Sequence, residues 1–140
     1  MADPSLTQFT GQQYLNLETY RRTGQAMPTP VWFVQDTVEG QTVFYARTLN
    51  GAGKVKRIQN NPQVRIMPCG SQGEPLGAWV PAQARLATTA EAQRVQQLMD
   101  EKYGSALRAL QLSEEMRQRG WAVIVIVPQT PPTAPAANAG

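Results

Sequence analysis

Histidine is absent from the 140 residues, and cysteine occurs once, as Cys69. Without an imidazole, Ser-His-Asp and Cys-His nucleophile arrangements, His-ligated zinc or haem and a histidine general base are all excluded. One cysteine forbids an internal disulfide and a CxxC redox or zinc pair. Charge is sparse at 16% of residues, while a hydrophobic content of 41% is enough for a folded core. Long apolar runs are also missing. The longest, Trp121 to Val127, is far too short to cross a bilayer. Met1-Ala2-Asp3-Pro4-Ser5 shows neither the basic nor the apolar region of a signal peptide. The expectation is a cytosolic, soluble protein with no membrane partner and no metal, built as one domain over 1–127. From Pro128 onward the chain is Pro-, Ala- and Thr-rich and uncharged, and it reads as a disordered tail over 128–140. Any chemistry must come mostly from a cofactor, or from carboxylates, Tyr, Lys and Arg.

What is present alternates. Asp3-Pro4 reads as a cap and first turn of a short helix through Phe9. Leu15, Leu17 and Thr19 share one face of a strand over Tyr14–Tyr20, with Asn16 and Glu18 on the other. A second extended run, Gln25 to Gln35, contains Pro28 and Pro30. Neither can donate to a ladder, so this run belongs at an edge or at a break in the sheet. A turn over Asp36–Gly40 leads to a third strand, Thr42–Arg47. A loop rich in glycine then opens a short helix, Lys54–Asn60, which Asn61-Pro62 ends. Gln63–Pro68 and Ala78–Leu86 are further strands, separated by a loop from Cys69 to Pro75. In the second of these, Val80, Ala82, Ala84 and Leu86 face one way and Trp79, Pro81, Gln83 and Arg85 the other. Thr88-Thr89-Ala90-Glu91 is a capping box opening a helix with the apolar stripe Ala92, Val95, Leu98 and Met99. A second helical stretch over 105–119 precedes the last strand, Trp121–Val127. Six strands in this order predict a mainly β fold with some α: a six-stranded, mostly antiparallel barrel with flanking helices, which the resemblance described below narrows to a split barrel.

Charge is unevenly placed. Between Glu39 and Glu74 there is no acid, while Arg47, Lys54, Lys56, Arg57 and Arg65 supply five positive charges; the rest carries eight basic and ten acidic residues. Such a segment is either the footprint of a phosphate-bearing partner or a solvated basic face. Gly51-Ala52-Gly53-Lys54 is not a P-loop, because Thr48 and Val55 stand where that motif needs a glycine and a hydroxyl. It still has the character of an anion site, with close backbone approach, a helix start, and Lys54 and Arg57 three apart on one face. Arg47 and Thr48, ending the preceding strand, add a cation and a hydroxyl. No aromatic is interleaved between Arg47 and Arg65, which argues against a nucleic-acid partner, since stacking platforms are what single-strand binding needs. Trp32, Trp79 and Trp121 all fall in strands, where core or interface is the ordinary reading. Cys69 has no visible activator.

Four stretches resemble a known family: Leu17-Glu18-Thr19-Tyr20-Arg21, Pro28-Thr29-Pro30-Val31-Trp32-Phe33, Gly53-Lys54-Val55-Lys56-Arg57-Ile58 and Asn61-Pro62-Gln63-Val64-Arg65. In this order they resemble the split-barrel flavin-binding proteins related to pyridoxamine 5'-phosphate oxidase, and within them the subgroup that uses the deazaflavin coenzyme F-420. The resemblance implies an oxidoreductase that moves a hydride to or from a small organic substrate, with FMN or F-420 bound at a homodimer interface. It implies that Pro28, Thr29, Pro30, Val31 and Trp32 run beside the tricyclic ring. Ala46, Arg47 and Thr48 would lie along the ribityl chain, and Lys54, Lys56 and Arg57 would hold the phosphate. Trp79 would cover the ring from the partner subunit. The carboxy-terminal substrate motif of the true oxidase is not visible. The alternative on the same fold is a non-catalytic flavin or tetrapyrrole binder.

Overall fold

The computed structural model describes residues 4–49, 52–104 and 121–129. The elements run α1 (Pro4–Thr7), β1 (Tyr14–Tyr20), β2 (Ala26–Val38), β3 (Gln41–Leu49), α2 (Gly53–Asn60), β4 (Gln63–Cys69), β5 (Val80–Leu86), α3 (Thr89–Tyr103) and β6 (Trp121–Pro128). The six strands close into a barrel in the order β1-β2-β3-β6-β5-β4, and every neighbouring pair is antiparallel. The expected fold class is the observed one. The helix expected over 105–119, the Asp3 cap and most of the expected tail lie outside the described residues.

Period-2 alternation decides which side chains enter the barrel. Leu15, Leu17, Val31, Phe33, Phe44, Ala46, Val64, Ile66, Val80, Ala82, Ala84, Ile124 and Ile126 form one buried cluster, joined by Phe9 and Ile58. Phe9 packs on Phe33 and Phe44, with ring centroids 6.1 and 4.8 Å away, and plugs one end. Ile58 of α2 fills the other end, where α2 lies against β1 and β5. Outside the barrel, Val95 and Met99 of α3 bury a second cluster against Val34, Val43, Tyr45 and Val125. The capping box is formed: the Thr88 hydroxyl accepts from Glu91 N–H, and the Glu91 carboxylate accepts from Thr88 N–H.

Three local features depart from the sequence reading. First, β2 extends three residues past Gln35, because Thr37 and Val38 pair with Thr42 and Gln41 around a tight turn at Glu39 and Gly40. Both turn residues have positive φ, 51° and 80°, as a two-residue hairpin turn of the primed type needs. Second, β1 is buried on both faces rather than half-buried. Asn16 and Glu18 are 6% and 4% exposed; the loop after β4 reaches Asn16, whose Nδ2 donates to Gly73 O at 3.1 Å, and Arg65 of β4 meets Glu18. Third, β6 includes Pro128, which pairs with Ala82 at the strand end.

The prolines of β2 mark where the barrel splits. From Ala26 to Trp32 the strand pairs with β1, and its pairing with β3 starts only at Phe33↔Ala46. Pro28 and Pro30 therefore sit where β2 has an unpaired side, so their missing N–H groups cost no ladder bond. Past Ala46, β3 continues with β6 alone, as far as Leu49↔Trp121.

Candidate functional site

The two lips of this split begin at Trp32 on β2 and Arg47 on β3, the first residues beyond the last β2–β3 pair. Helix α2 closes the barrel end beside them. Its Val55 and Ile58 are buried. Lys54 and Arg57, one turn apart, are fastened to the barrel rim: Lys54 Nζ donates to Thr48 Oγ1 at 3.0 Å and Arg57 Nε to Thr19 Oγ1 at 2.6 Å. Alternation turns Thr19 inward with Leu15 and Leu17, and its hydroxyl donates onward to Met27 O at 3.4 Å. Two strand-end hydroxyls thus hold the two cations in place.

The start of α2 is charged against its own dipole, although Arg57 stands in the last turn. A helix N-terminus carries about half a positive charge and is stabilised by acids. The first turn of α2 has no acid, Ala52 offers no capping side chain, and Lys54 adds a positive charge there. Arg57 leans toward the same end: a β-carbon on Gly53 would meet its Nη1 at 2.9 Å, so only a glycine leaves room for this pose. Burial, then the charge of Arg57, lowers the Lys54 pKa. Burial, then the charge of Arg21, lowers that of Arg57. Two cations beside a bare helix start repel each other, and an anion there would relieve that repulsion.

The structure divides the remaining candidates. Thr48 joins Lys54 and Arg57. Arg47 is nearly buried; burial lowers its pKa and Asp100 of α3 partly restores it, so it belongs to the α3 side of the split. Val31 and Ala46 are in the barrel core, which leaves only their backbones for a ligand. Pro28 is exposed, Thr29 and Pro30 are half-buried on the β2 lip, and Lys56 points to solvent. Trp32 packs against the outer cluster with α3. Trp79 precedes β5, separated from the β2 lip by β1 and β4, and the Arg65 guanidinium lies over its ring at 4.7 Å. Arg65 itself is taken up by Glu18, at 2.7 Å, which also accepts from the Tyr20 hydroxyl at 2.8 Å. The five-cation segment is therefore not one patch. Sequence reasoning missed Thr19 as a site residue. A hydroxyl at an inward position of an apolar strand was the available signal for Thr19.

The molecule is thus a closed six-stranded barrel, split between two strands, with a basic helix start beside the split. The sequence matches the family described as pyridoxamine 5'-phosphate oxidase over residues 3–130, and the chain belongs to that family. Solved structures share the fold at low identity. The haem storage protein HutZ of Vibrio cholerae aligns at 18% identity with a TM-score of 0.65, over 92% of this chain and 91% of its own. An F420 reductase aligns at 17% identity and 0.57, over 93% and 97%. A pyridoxamine 5'-phosphate oxidase-related, FMN-binding protein of Nostoc punctiforme aligns at 14% identity and 0.59, over 83% and 70%. No curated protein sequence matches.

Proposed function

We propose that this protein is an oxidoreductase that binds FMN or the deazaflavin F-420 at the split, its phosphate held at the start of α2. The observation that carries the reading is the charge held at the uncapped start of α2: Lys54 in its first turn, fixed by Thr48, and the Arg57 guanidinium, which reaches back from the last turn and is fixed by Thr19. That donor set fits a phosphate monoester, which takes several N–H donors and positive charge at once. Lys54, Arg57, Thr48 and the first amides of α2 would hold the phosphate, and Arg47 and the β2 lip would border the rest of the ligand. When bound, either cofactor supplies hydride transfer at its central ring. The chain's own part is to bind, orient and keep water away. The site is proposed to be completed by a second copy of the chain, with Trp79 reaching in from the partner and a small organic molecule as redox substrate.

The test is a visible absorption spectrum of the purified protein, then titration with FMN and with F-420 at fixed salt. Saturable binding of one of them is expected, and binding of neither overturns the reading. In the same assay Lys54→Ala should weaken binding roughly ten- to hundredfold, the loss of one charge-assisted contact of about 1.5–3 kcal/mol. Unchanged affinity removes Lys54 from the site. Steady turnover with reduced cofactor and candidate acceptors separates an enzyme from a non-catalytic carrier.

A further inference from the structure

The last turn of α3 packs on the β2 lip of the split, and its charge reaches the β3 lip. On the β2 lip, the Trp32 indole stacks on Tyr103, with 4.4 Å between centroids and 7° between planes. Tyr14 meets the indole edge-on at 6.4 Å. On the β3 lip, Asp100, one turn before Tyr103, acts on the charge of Arg47. Tyr103 is anchored independently of the stack. Its hydroxyl accepts from Phe33 N–H at 3.0 Å and lies 2.7 Å from both Gln13 O and Phe33 O, which share its one proton. The reason lies in the sheet: β1 pairs with β2 only as far as Tyr14↔Trp32, so the Phe33 backbone groups lack a β1 partner. Tyr103 supplies one. Burial pushes the hydroxyl's pKa above its ordinary value, so it remains a donor across the working pH range.

We propose that Tyr103 is a positioning residue: it fixes the Trp32 indole at the lip of the split and thereby sets how the planar ring of the bound cofactor packs there. This rests on the cofactor reading above. An indole at the surface samples several rotamers. Stacked on a phenol that is itself tied to two backbone segments, it is held in one, and a rigid aromatic wall is organised before the ligand arrives.

The test titrates the full chain with FMN and with F-420 in wild type, Y103F, Y103L, W32F and the W32F/Y103L double variant. Y103F keeps the planar face but loses the hydroxyl that ties it to Phe33 and Gln13, so it should weaken binding severalfold, less than Y103L; binding weakened as much as in Y103L overturns the role of the planar face. Y103L keeps apolar bulk without a planar face, and should weaken binding about tenfold and change the band shape of the bound chromophore at saturation. The double variant should be no worse than the weaker single one, because both remove the same wall. K54A, which acts at the phosphate, should lower affinity and leave the band shape unchanged. Wild-type affinity and band shape in Y103L, or full additivity with W32F, overturns the proposal. If Y103L does not fold, W32F decides alone: an unchanged band shows that Trp32 does not touch the ring. A wild type that binds neither cofactor overturns the cofactor reading itself, an outcome distinct from a wild type that binds while Y103L and W32F bind equally well.

Discussion

At the scale of single residues, Glu91 has the largest effect on acid stability that the structure assigns. Its carboxylate takes two bonds of 2.7 Å from the Arg85 guanidinium and one from Thr88 N–H. These hold its pKa down at about 2, with the Arg85 bonds foremost and burial opposing. A depressed carboxylate contributes stability above its unfolded pKa, and that contribution is lost as pH falls through the folded value. Glu91→Gln should therefore be less stable than wild type at pH 7, and the gap should close between about pH 4.5 and 2. Urea midpoints across that range check it, and a constant gap contradicts the assignment. Glu18 acts in the same direction, its pKa lowered by Arg65 first and by Tyr20, against burial. Cys69 is buried, and burial, with Glu74 nearby, raises its thiol pKa to about 11, so it is unreactive at neutral pH.

The element that matters most is α2, where stability and binding pull apart. Its amphipathic face, Val55 and Ile58, fastens it to the barrel, and its polar face places positive charge at its positive end. Lys54→Gln keeps a donor for Thr48 and removes the charge. Without ligand, this variant should be more stable than wild type by about 0.3–1 kcal/mol at low salt, while its affinity for FMN or F-420 falls. Denaturant unfolding paired with the titration reads both. A variant that loses stability and affinity together would mean that the Lys54–Thr48 bond, not the anion, explains the residue. Helix α2 was legible in the sequence from its basic face and the Asn-Pro stop. Thr48 beside Lys54 was legible too, but the partner of Arg57 was not, because Thr19 lies more than thirty residues upstream and meets α2 only once the barrel has closed.

For the whole molecule, stability rests on a barrel interior filled by side chains from all six strands. Phe44 has 0% exposure and touches the rings of Phe9 and Phe33, so Phe44→Ala should cost about 3–5 kcal/mol, a loss readable by urea unfolding. Either cofactor, if it binds the native state alone, should raise stability by about 2.7 kcal/mol at a hundred times its dissociation constant. The proposed pairing of two chains is checked by light scattering on the eluting protein: a mass of twice the chain is expected, and a monomer at all concentrations removes Trp79 from the site. Among the described residues no helix is long and apolar enough to cross a membrane.

Local pattern determined the six strands, their inward residues, the capping box of α3 and the break at Pro28 and Pro30. Each depends on neighbours two to four residues away: alternation, a cap, or a missing N–H. Only the tertiary structure decided which cations act together. Lys54 and Arg57 are fixed to Thr48 and Thr19 at the barrel rim, Arg65 is drawn off by Glu18 from a neighbouring strand, and Arg47 feels the charge of Asp100 on α3. Charge acts through space over several ångströms, and residues that share a charged segment of sequence need not share a site once strands alternate and a barrel closes. The same holds for the Trp32–Tyr103 stack, which joins residues seventy-one apart because β1 stops one pair short of Phe33.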